Sequence, residues 1–382
     1  MLSGETIIYF GPEPWDGLWR NRHQLMSRFA TQNDVWYVEP PANLFKLLSG
    51  DARRPFRLTS RDASGVRVFH SPWWLPVIGR EPFKRISIRI LLAVLSLAAR
   101  IGNKRRPVLW FSRPNMVNYV GILPAKMTIY HVVDEYSGYG QPSERSRARQ
   151  ERMEAELMRK ADAVIVVTPT LFDLKSPHNP NTHLVPNAVD YDSYADGASQ
   201  LPDDMAGIES PIVGYSGLIA ARLDLALLHE AAESRPDWNF VFVGAVNDTD
   251  CQTQLRRFAA LPNVHLLGQK TVDEVPRYVG NFDVCVIPYV LNLRAQHAGP
   301  LKLYEYAAAA KPIVTTDFAA ARTFDGVLSI AGGAQEFVAA CEQSLALDSS
   351  APGIVTNRRI AAENTWQHRV EQISGILRGA SS

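Results

Sequence analysis

Short apolar runs alternate with longer segments of helical periodicity along the chain. Runs of four to six apolar residues predict buried strands, and apolar residues every three or four positions predict amphipathic helices. In the first half, this pattern predicts strands at 6–10, 35–39, 66–70, 108–112, 128–133, 163–168 and 183–186. It predicts helices at 20–30, 83–101 and 144–159. The alternation is typical of a parallel sheet covered by helices.

The same pattern restarts after residue 210. Strands are predicted at 212–216, 240–244, 264–267, 284–288 and 313–316, and helices at 224–233, 253–260, 272–279, 301–309 and 335–345. The intervening stretch is acidic, rich in small residues and aperiodic, which predicts a linker. We therefore expect an α/β protein with two Rossmann-like doubly wound domains facing a central crevice, and ligands at the carboxyl ends of the strands. The expected division is 1–190, a linker 191–210, 211–356, and a C-terminal segment 357–382 with no strand after its helix.

Composition narrows the class of protein. The 382 residues are 46% hydrophobic and 21% charged, with a mean hydropathy of -0.12, which excludes disordered, collagen-like and multi-span membrane proteins. The three cysteines, Cys251, Cys285 and Cys341, lie more than thirty positions apart and offer neither paired metal ligands nor a disulfide framework. Since residues 1–6 lack the basic region of a secretory signal, the sequence predicts a cytoplasmic protein.

The net charge of +1 conceals an asymmetry between the two halves of the chain. Residues 1–190 hold 26 Lys and Arg against 17 Asp and Glu, whereas residues 191–382 hold 14 against 22. A basic half favours an anionic partner such as nucleic acid, a phospholipid surface or a phosphorylated substrate. The acidic second half argues against a protein that wraps a polynucleotide, so no nucleic-acid partner is predicted.

One predicted helix has features of a membrane-surface segment. Between Arg80 and Arg106 the chain carries eight basic residues against Glu81 alone, and two tryptophans precede them at 73–74. A helix places Arg85, Arg89, Ser96 and Arg100 on one narrow stripe, while the apolar stretch 90–99 is too short to span a bilayer. We expect peripheral attachment to the anionic inner surface of the cell membrane. The alternative is a buried helix that covers the sheet.

Two segments of the second half carry candidate anion-binding residues. Gly217 follows the first predicted strand, where a glycine lets phosphates approach the backbone, and Arg222 offers forked donors to a diphosphate. The alternative role for Gly217 is only to form a turn. Further on, Gly299 and Pro300 predict the cap and first position of a helix.

Lys302 and Glu305 lie three residues apart and therefore share a face of that helix. A cation in the first turn suits the phosphates of a nucleoside diphosphate, and a carboxylate one turn later suits its ribose hydroxyls. The alternative is an ordinary surface pair.

The first half offers a further group of candidate residues. Trp15, Arg20, Arg22 and His23 follow the first strand, and the basic side chains among them suit a phosphate group. His131 and Asp134 end the strand at 128–133, where a carboxylate can deprotonate a hydroxyl or cap the next turn.

Two Asp-x-Asp triplets, at 190–192 and 248–250, resemble metal ligands, but both lie in acidic sequence of loop character. We interpret them as solvated loops and predict no bound metal.

The order of these motifs resembles glycosyltransferase family 4, the group 1 glycosyltransferases of the GT-B fold. The resemblance is carried by VPNAVD (185–190), GYSG (214–217) with Arg222, FVFVG (240–244), NVHLLGQ (263–269), FDVCVIPY (282–289) and PLKLYEYAAAAKPIV (300–314). It implies that Gly217 and Arg222 meet the donor diphosphate and that Glu305 binds ribose. It also implies that the loop after the first strand, with Trp15, Arg20, Arg22 and His23, lies on the acceptor side together with His131 and Asp134, and that the basic residues bind a phosphorylated acceptor. It also implies that 357–377 crosses back to the first domain. The sequence departs from the family at His297, where a second Glu is usual, and at Ala188, where Gly is commoner.

The resemblance implies transfer of a sugar from a UDP- or GDP-sugar to a lipid-linked or saccharide acceptor in synthesis of a cell-surface polysaccharide or glycolipid. Retention of configuration is expected, with no bound cofactor and no metal requirement. The alternatives are an inverting transferase that uses Asp134 as base, a UDP-sugar epimerase on the same fold, and a non-catalytic membrane-attached scaffold.

Overall fold

The computed structural model describes residues 1–41, 57–72, 83–101, 106–136, 143–197 and 200–379. The chain divides into two compact units. Unit 1 comprises Met1–Pro186 with Arg369–Ser382, and unit 2 comprises Asn187–His368. The tryptophans at 73–74 and the basic residues Arg80, Lys104 and Arg105 lie outside the described residues.

Unit 1 is built on an eight-stranded sheet. Its strands are β1 (Thr6–Phe10), β2 (Asp34–Val38), β3 (Thr59–Arg61), β4 (Arg67–Phe69), β5 (Val108–Phe111), β6 (Met127–Val132), β7 (Ala163–Val166) and β8 (Thr182–Leu184). The order across the sheet is β3-β4-β2-β1-β5-β6-β7-β8, and only β3 runs antiparallel to its neighbour. Its helices are α1 (Asn21–Phe29), α2 (Phe83–Ala98), α3 (Glu144–Lys160) and α4 (Pro169–Lys175). All residues of β1, β5, β6 and β7 are buried, which explains why their sequences are mainly apolar.

Unit 2 contains a six-stranded parallel sheet. Its strands, with a separate short pair β10 and β12, are β9 (Ile212–Ser216), β10 (Ile219–Ala220), β11 (Asn239–Val243), β12 (Val246–Asn247), β13 (Val264–Gly268), β14 (Val284–Ile287), β15 (Ile313–Thr316) and β16 (Ser329–Ala331). The order is β13-β11-β9-β14-β15-β16, so the chain leaves β9 in one direction and returns to its other side at β14. Its helices are α5 (Tyr191–Ala195), α6 (Leu225–Ser234), α7 (Gln252–Ala259), α8 (Val275–Gly280), α9 (Leu293–His297), α10 (Lys302–Ala308), α11 (Ala319–Arg322), α12 (Ala334–Leu345) and α13 (Pro352–Glu363).

The predicted α/β class with doubly wound parallel sheets is confirmed. Of the described helices, none is long and apolar enough to cross a membrane.

The prediction that residues 191–210 form an irregular linker is wrong for part of this stretch. Residues 191–195 form α5, and the buried side chains of Tyr194 and Met205 pack into the core of unit 2. Asp190 and Asp192 accordingly lie at the start of a helix and not in a solvated loop, whereas Asp248 and Asp250 do lie in a turn. A helix of five residues is too short to show a helical repeat of apolar positions, so the sequence pattern did not predict it.

The expected single helix at 357–377 is instead two. α13 ends at Glu363, and α14 (Trp366–Gly379) starts after a short break. At this break the Trp366 backbone N–H donates to the Val189 carbonyl at 3.2 Å, and both residues belong to unit 2. After this break, the C-terminal segment belongs to unit 1 from Arg369 onward. The Arg369 guanidinium donates to the Pro186 carbonyl at 2.8 Å.

A buried ionic cluster ties α4 to β6 and α3 in unit 1. The Lys175 ammonium donates to Glu135 at 2.7 Å and to Glu154 at 2.9 Å, and all three side chains are buried. Glu154 also accepts from the Tyr130 hydroxyl at 2.8 Å. Because a buried charge is costly without a partner, Lys175 keeps two carboxylates compatible with the interior.

Lys175→Ala should therefore destabilise the protein by about 3 to 5 kcal/mol, since it leaves two buried carboxylates without their cation. Lys160→Ala is the matched control, because Lys160 pairs with Glu156 on the surface of the same unit. That control should change the free energy of unfolding by less than about 1 kcal/mol. Urea unfolding of both variants measures the difference, and equal losses would contradict the assignment.

Candidate functional site

Three glycines with positive φ end neighbouring strands of unit 2. Gly217 follows β9 with φ 134, Gly244 follows β11 with φ 152, and Gly268 is the last residue of β13 with φ 73. The Gly217 amide donates to Val243 at 2.7 Å, and the Gly244 amide donates to Gly268 at 2.8 Å. A Cβ at Gly217 would overlap the Lys302 ammonium, and one at Gly244 would overlap the Gly217 carbonyl. Glycine is therefore required both by conformation and by close approach.

Lys302, the first residue of α10, reaches back to the end of β9. Its ammonium lies 5.0 Å from the ring centroid of Tyr215 and within hydrogen-bond reach of that phenol. The Tyr215 hydroxyl in turn donates to the Leu218 carbonyl at 3.2 Å. Burial opposes the charge on Lys302, but Tyr215, Tyr289 and Glu305 outweigh burial, so the pKa of Lys302 lies above its ordinary value.

Arg222 is placed beside the end of β14 by backbone pairing. Leu223 forms an antiparallel bridge with Tyr289, and the Val290 amide donates to the Arg222 carbonyl at 2.9 Å. The Arg222 guanidinium lies 6.0 Å from the Tyr289 ring centroid and hydrogen-bonds its hydroxyl. The loop after β9 thus delivers a second cation close enough to influence the charge of Lys302.

Glu305 lies one turn into α10, on the same face as Lys302. Its carboxylate accepts a hydrogen bond from the hydroxyl of Tyr194 on α5. Burial raises the pKa of Glu305 above its usual range, while Lys302 and the Tyr194 hydrogen bond limit the rise. This carboxylate is therefore held in place from the segment that the sequence predicted to be a linker.

The turn before α10 differs from the prediction. Leu301 is the cap residue and Lys302 begins the helix, so Gly299 and Pro300 precede the cap. The Gly299 carbonyl accepts a hydrogen bond from the buried side-chain amide of Asn187. His297 is the partly buried last residue of α9, two positions before Gly299.

Together, these elements form one cluster that contains two cations and a carboxylate. Lys302 and Arg222 are partly buried and stand at the carboxyl ends of β9 and β14, with Glu305 beside Lys302. Fixed cations next to a glycine backbone suit a polyanion such as a diphosphate, and a carboxylate suits hydroxyl donors.

In unit 1, the loop after β1 forms a second polar cluster around Glu13. Arg22 donates to Glu13 at 3.0 Å, Arg20 lies 3.7 Å from the same carboxylate, and the Tyr37 hydroxyl donates to the Glu13 carbonyl at 2.6 Å. Burial raises the pKa of Glu13, but the two arginines bring it below its ordinary value. Arg22 is buried, whereas Arg20 is partly exposed, so Arg20 is the more accessible cation of this pair.

The histidine predicted in this loop has a structural role. His23 accepts from the Arg20 amide at 2.9 Å through Nδ1, and its Nε2 donates to the Trp15 carbonyl at 3.0 Å. Trp15 and His23 are both buried. Burial, reinforced by Arg22, lowers the pKa of His23 to about 4. A neutral imidazole supplies no charge to an anionic acceptor, so a role of His23 in acceptor binding stays a prediction that does not depend on its charge.

His131 is also buried, next to Trp110 at 5.8 Å between ring centroids. Burial lowers the pKa of His131 to about 3, so it too is neutral and cannot attract an anion. Asp134 lies two residues after β6, is partly exposed, and accepts from the Glu135 amide at 3.0 Å. Asp134 therefore remains the accessible acidic group at this strand end.

Neither Asp-x-Asp triplet belongs to a cluster of metal ligands. Among the residues that the structure describes, no group of three or more His, Cys, Asp and Glu side chains lies in position to hold a metal ion.

Four residues of the unit 2 cluster were missed by the sequence analysis. They are Asn187, Tyr194, Tyr215 and Tyr289, and all four are buried. Three of them lie inside or next to the quoted motifs, so their position at strand ends was the available signal. Tyr194 had none, because α5 carries no periodic pattern.

The chain is similar to glycosyltransferases in sequence. Residues 211–346 match the family described as glycosyl transferases group 1. A relative from Bacillus subtilis (strain 168) is 28% identical over 396 aligned positions that cover 98% of each protein. It carries the provisional name teichuronic acid biosynthesis glycosyltransferase TuaH.

Solved structures share the fold across nearly the whole chain. Sucrose-phosphate synthase from Thermosynechococcus elongatus is 16% identical with a TM-score of 0.73, covering 98% of both chains. HepE from Anabaena, solved in complex with UDP and glucose, is 14% identical with a TM-score of 0.72, covering 98% of this chain and all of that one. A trehalose-6-phosphate protein from E. coli, bound with UDP-2-fluoro glucose, has a TM-score of 0.69 at 11% identity over 99% of both chains.

The neutral state of His131 predicts a pH dependence of stability. Its folded-state pKa of about 3 lies below the model-peptide value of about 6.5, so the unfolded chain binds the proton more readily. The free energy of unfolding therefore has its full value above pH 6.5 with respect to this group and falls as the pH drops towards 3. The loss is about 2 kcal/mol at pH 5. His131→Gln should remove this part of the slope. Urea unfolding between pH 7 and 5 tests it, and parallel pH profiles for the two proteins would contradict it.

Proposed function

We propose that the chain is a group 1 glycosyltransferase, in line with the family match of residues 211–346, and that it moves a hexose from a nucleotide-diphosphate sugar to an acceptor in synthesis of a cell-surface polymer. The donor is a UDP- or GDP-sugar, and the acceptor is lipid-linked or a saccharide. The teichuronic acid assignment in the name of the B. subtilis relative supports a cell-envelope polymer. Two similar structures, one bound to UDP and glucose and the other to UDP-2-fluoro glucose, support the donor class.

The cluster of Gly217, Lys302 and Arg222 is the observation that carries this proposal. The two side chains place fixed positive charge beside a backbone that has no Cβ to keep a ligand away. When the bond between sugar and diphosphate breaks, negative charge grows on the leaving phosphate. Donors already in place at that position stabilise the transition state more than the bound substrate. Transfer in this proposal needs no metal ion.

The remaining donor groups have distinct parts. Glu305 accepts hydrogen bonds from the ribose hydroxyls, since one side of its carboxylate is already held by Tyr194. His297, preceding the Gly299 turn, contacts the donor sugar. Unlike the Glu usual at this position, a histidine can donate a hydrogen bond to a sugar hydroxyl as well as accept one.

We propose that transfer retains the anomeric configuration, with the donor phosphate accepting the proton of the acceptor hydroxyl. Asp134 is the base of the inverting alternative, because it is the partly exposed carboxylate after β6. On the acceptor side, Arg20 supplies charge to a phosphorylated acceptor, supported by Arg22 and by the packing of Trp15.

We also propose that unit 1 binds the inner face of the cell membrane through α2. One face of this helix packs into the core through Ile88, Leu91, Leu92 and Leu95. The opposite face exposes an apolar stripe at intervals of three, four and seven residues, formed by Phe83 (58% exposed), Ile86 (52%), Ile90 (41%) and Leu97 (83%).

Charge next to that stripe supports an anionic lipid as its partner. Arg85, Arg89 and Arg100 are exposed, and α2 itself contains no acidic residue. An apolar face beside a basic one is the pattern of a helix that lies in the interface of an anionic bilayer. The alternative of a buried helix thus describes one face of α2 only.

The overall test is transfer from a panel of UDP- and GDP-sugars to lipid-linked acceptors, with NMR of the product. Saturable nucleotide binding by calorimetry and a product of retained configuration support the proposal. An inverted product moves the role of base to Asp134. Conversion of a UDP-sugar without acceptor, or no nucleotide binding at all, overturns it in favour of an epimerase or a scaffold.

Lys302→Ala should weaken donor binding and slow transfer together, because its charge meets the diphosphate before and during reaction. Loss of a charge-assisted hydrogen bond of about 1.5 to 3 kcal/mol corresponds to roughly 10- to 150-fold. Glu305→Gln should weaken binding of the nucleotide but leave inhibition by inorganic pyrophosphate unchanged, since pyrophosphate has no ribose. Lys270→Ala, which loses a surface pair with Asp204 in the same unit, is the control. Wild-type kinetics in both site variants would remove α10 from the donor site.

The purified protein should co-sediment with vesicles that contain acidic lipid and dissociate as salt is raised. Each basic residue near the surface contributes about 1 kcal/mol, which salt screens. Replacing Arg85, Arg89 and Arg100 by Gln should weaken binding, and Leu97→Gln should weaken it even at low salt. Controls are the Gln variants of Arg145, Arg147 and Arg149 on α3, and Leu174→Gln. Nucleotide affinity should stay unchanged throughout, and equal binding to neutral and acidic vesicles would exclude this surface.

A further inference from the structure

Each charged side chain of the unit 2 cluster is hydrogen-bonded to a different buried tyrosine. Lys302 bonds Tyr215, Arg222 bonds Tyr289, and Glu305 bonds Tyr194. All three tyrosines are less than 8% exposed. A three-fold pairing of phenol with charge goes beyond what core packing requires, because a phenylalanine would fill nearly the same volume.

The three tyrosines are themselves fixed by separate elements. Tyr215 lies within β9 and its hydroxyl donates to Leu218, whereas Tyr289 follows β14 and its carbonyl accepts from Thr316 at 2.7 Å. Tyr194 lies on α5, which packs against α10. Each tyrosine therefore contacts its charged partner from a different segment of unit 2.

We propose that Tyr194, Tyr215 and Tyr289 are positioning residues that fix the charged groups of the donor site in the arrangement required by a nucleoside diphosphate. This inference rests on the proposed function of that site. Lysine and arginine both lose rotamer entropy when they are held in place. If the phenols hold them before the ligand arrives, that cost is met during folding and does not weaken binding.

Tyr194 has a further effect through the protonation of Glu305. A hydrogen bond to the carboxylate favours its ionised form and lowers its pKa, against the effect of burial. Loss of the Tyr194 hydroxyl should therefore raise the pKa of Glu305. Donor binding, which uses the ionised carboxylate, should then fail at a higher pH in the variant than in the wild type.

Phenylalanine substitutions remove each hydroxyl and keep the ring. Tyr289→Phe, Tyr215→Phe and Tyr194→Phe should each raise the donor KM by about 3- to 10-fold, the size of one hydrogen bond of about 1 kcal/mol. Tyr194→Phe should also move the acidic limb of log(1/KM) to higher pH by about 0.5 to 1 unit. Tyr289→Phe and Tyr215→Phe should leave that limb in place.

Double mutants test whether each tyrosine acts through its own partner. Tyr289→Phe should have less than about a twofold effect in an Arg222→Ala background, and the same should hold for Tyr215→Phe with Lys302→Ala. A crossed pair, Tyr289→Phe with Glu305→Gln, should instead give effects closer to the product of the two single changes.

Tyr278→Phe is the matched control. Tyr278 is a buried tyrosine of the same unit whose hydroxyl donates to Asp204 at 2.7 Å, with Lys270 5.1 Å from its ring centroid. It repeats the phenol, carboxylate and lysine combination outside the cluster, so its loss should leave the donor KM within about twofold. Thermal unfolding of every variant measures the general cost of losing a buried hydroxyl.

Wild-type donor KM in all three variants, or tyrosine effects that persist undiminished after the paired charge is removed, would overturn this inference while the proposed function stands. An effect of Tyr278→Phe equal to the others would also overturn it, because only stability would then be involved. Absence of nucleotide binding by the wild-type protein would overturn the proposed function, and this inference with it.

Discussion

The contact between the Lys302 ammonium and the backbone at Gly217 organises the site in unit 2. The ammonium occupies the space where any other residue at 217 would carry its Cβ. Gly217 itself lies against Gly244, whose own missing Cβ leaves space for the Gly217 carbonyl. Two neighbouring strand ends and the first turn of α10 therefore meet without side chains between them. Because the strands are parallel and in register, their carboxyl ends reach the same edge of the sheet, and this contact is possible only there.

The two units handle buried charge in different ways. In unit 1, Lys175 compensates two carboxylates inside the protein, and the histidines at 23 and 131 stay neutral because burial disfavours the imidazolium. In unit 2, the cluster keeps two cations close together; the phenols of Tyr215 and Tyr289 accept their hydrogen bonds, and the Glu305 carboxylate favours the charged form of Lys302. In unit 1 the buried charges compensate one another. In unit 2 the two cations outnumber the single carboxylate, which suits an anionic ligand.

α2 shows how one helix can serve both the core and a surface. Its buried side chains recur with the period of a helix, and they close the sheet of unit 1 on one side. The exposed apolar residues recur with the same period on the other side, next to arginines. A helix that only covered the core would expose polar residues on that side, because exposing leucine and isoleucine to water is unfavourable. The sequence contains both apolar stripes, but the number of apolar residues does not tell which stripe is buried and which is exposed.

The sequence alone determined the α/β class, most strands of the two sheets and the resemblance to group 1 glycosyltransferases, because apolar periodicity and strand-end motifs are local properties of the chain. Strands such as Thr6–Phe10 and Ile212–Ser216 were predicted at their observed bounds, since a fully buried parallel strand favours apolar or small residues. Tertiary structure decided the short helix α5, the break before α14 and the burial of His23 and His131. It also decided the pairing of Tyr194, Tyr215 and Tyr289 with charged groups. These features depend on contacts between residues far apart in the chain, such as Tyr194 with Glu305, and no local pattern encodes which buried hydroxyl meets which charge.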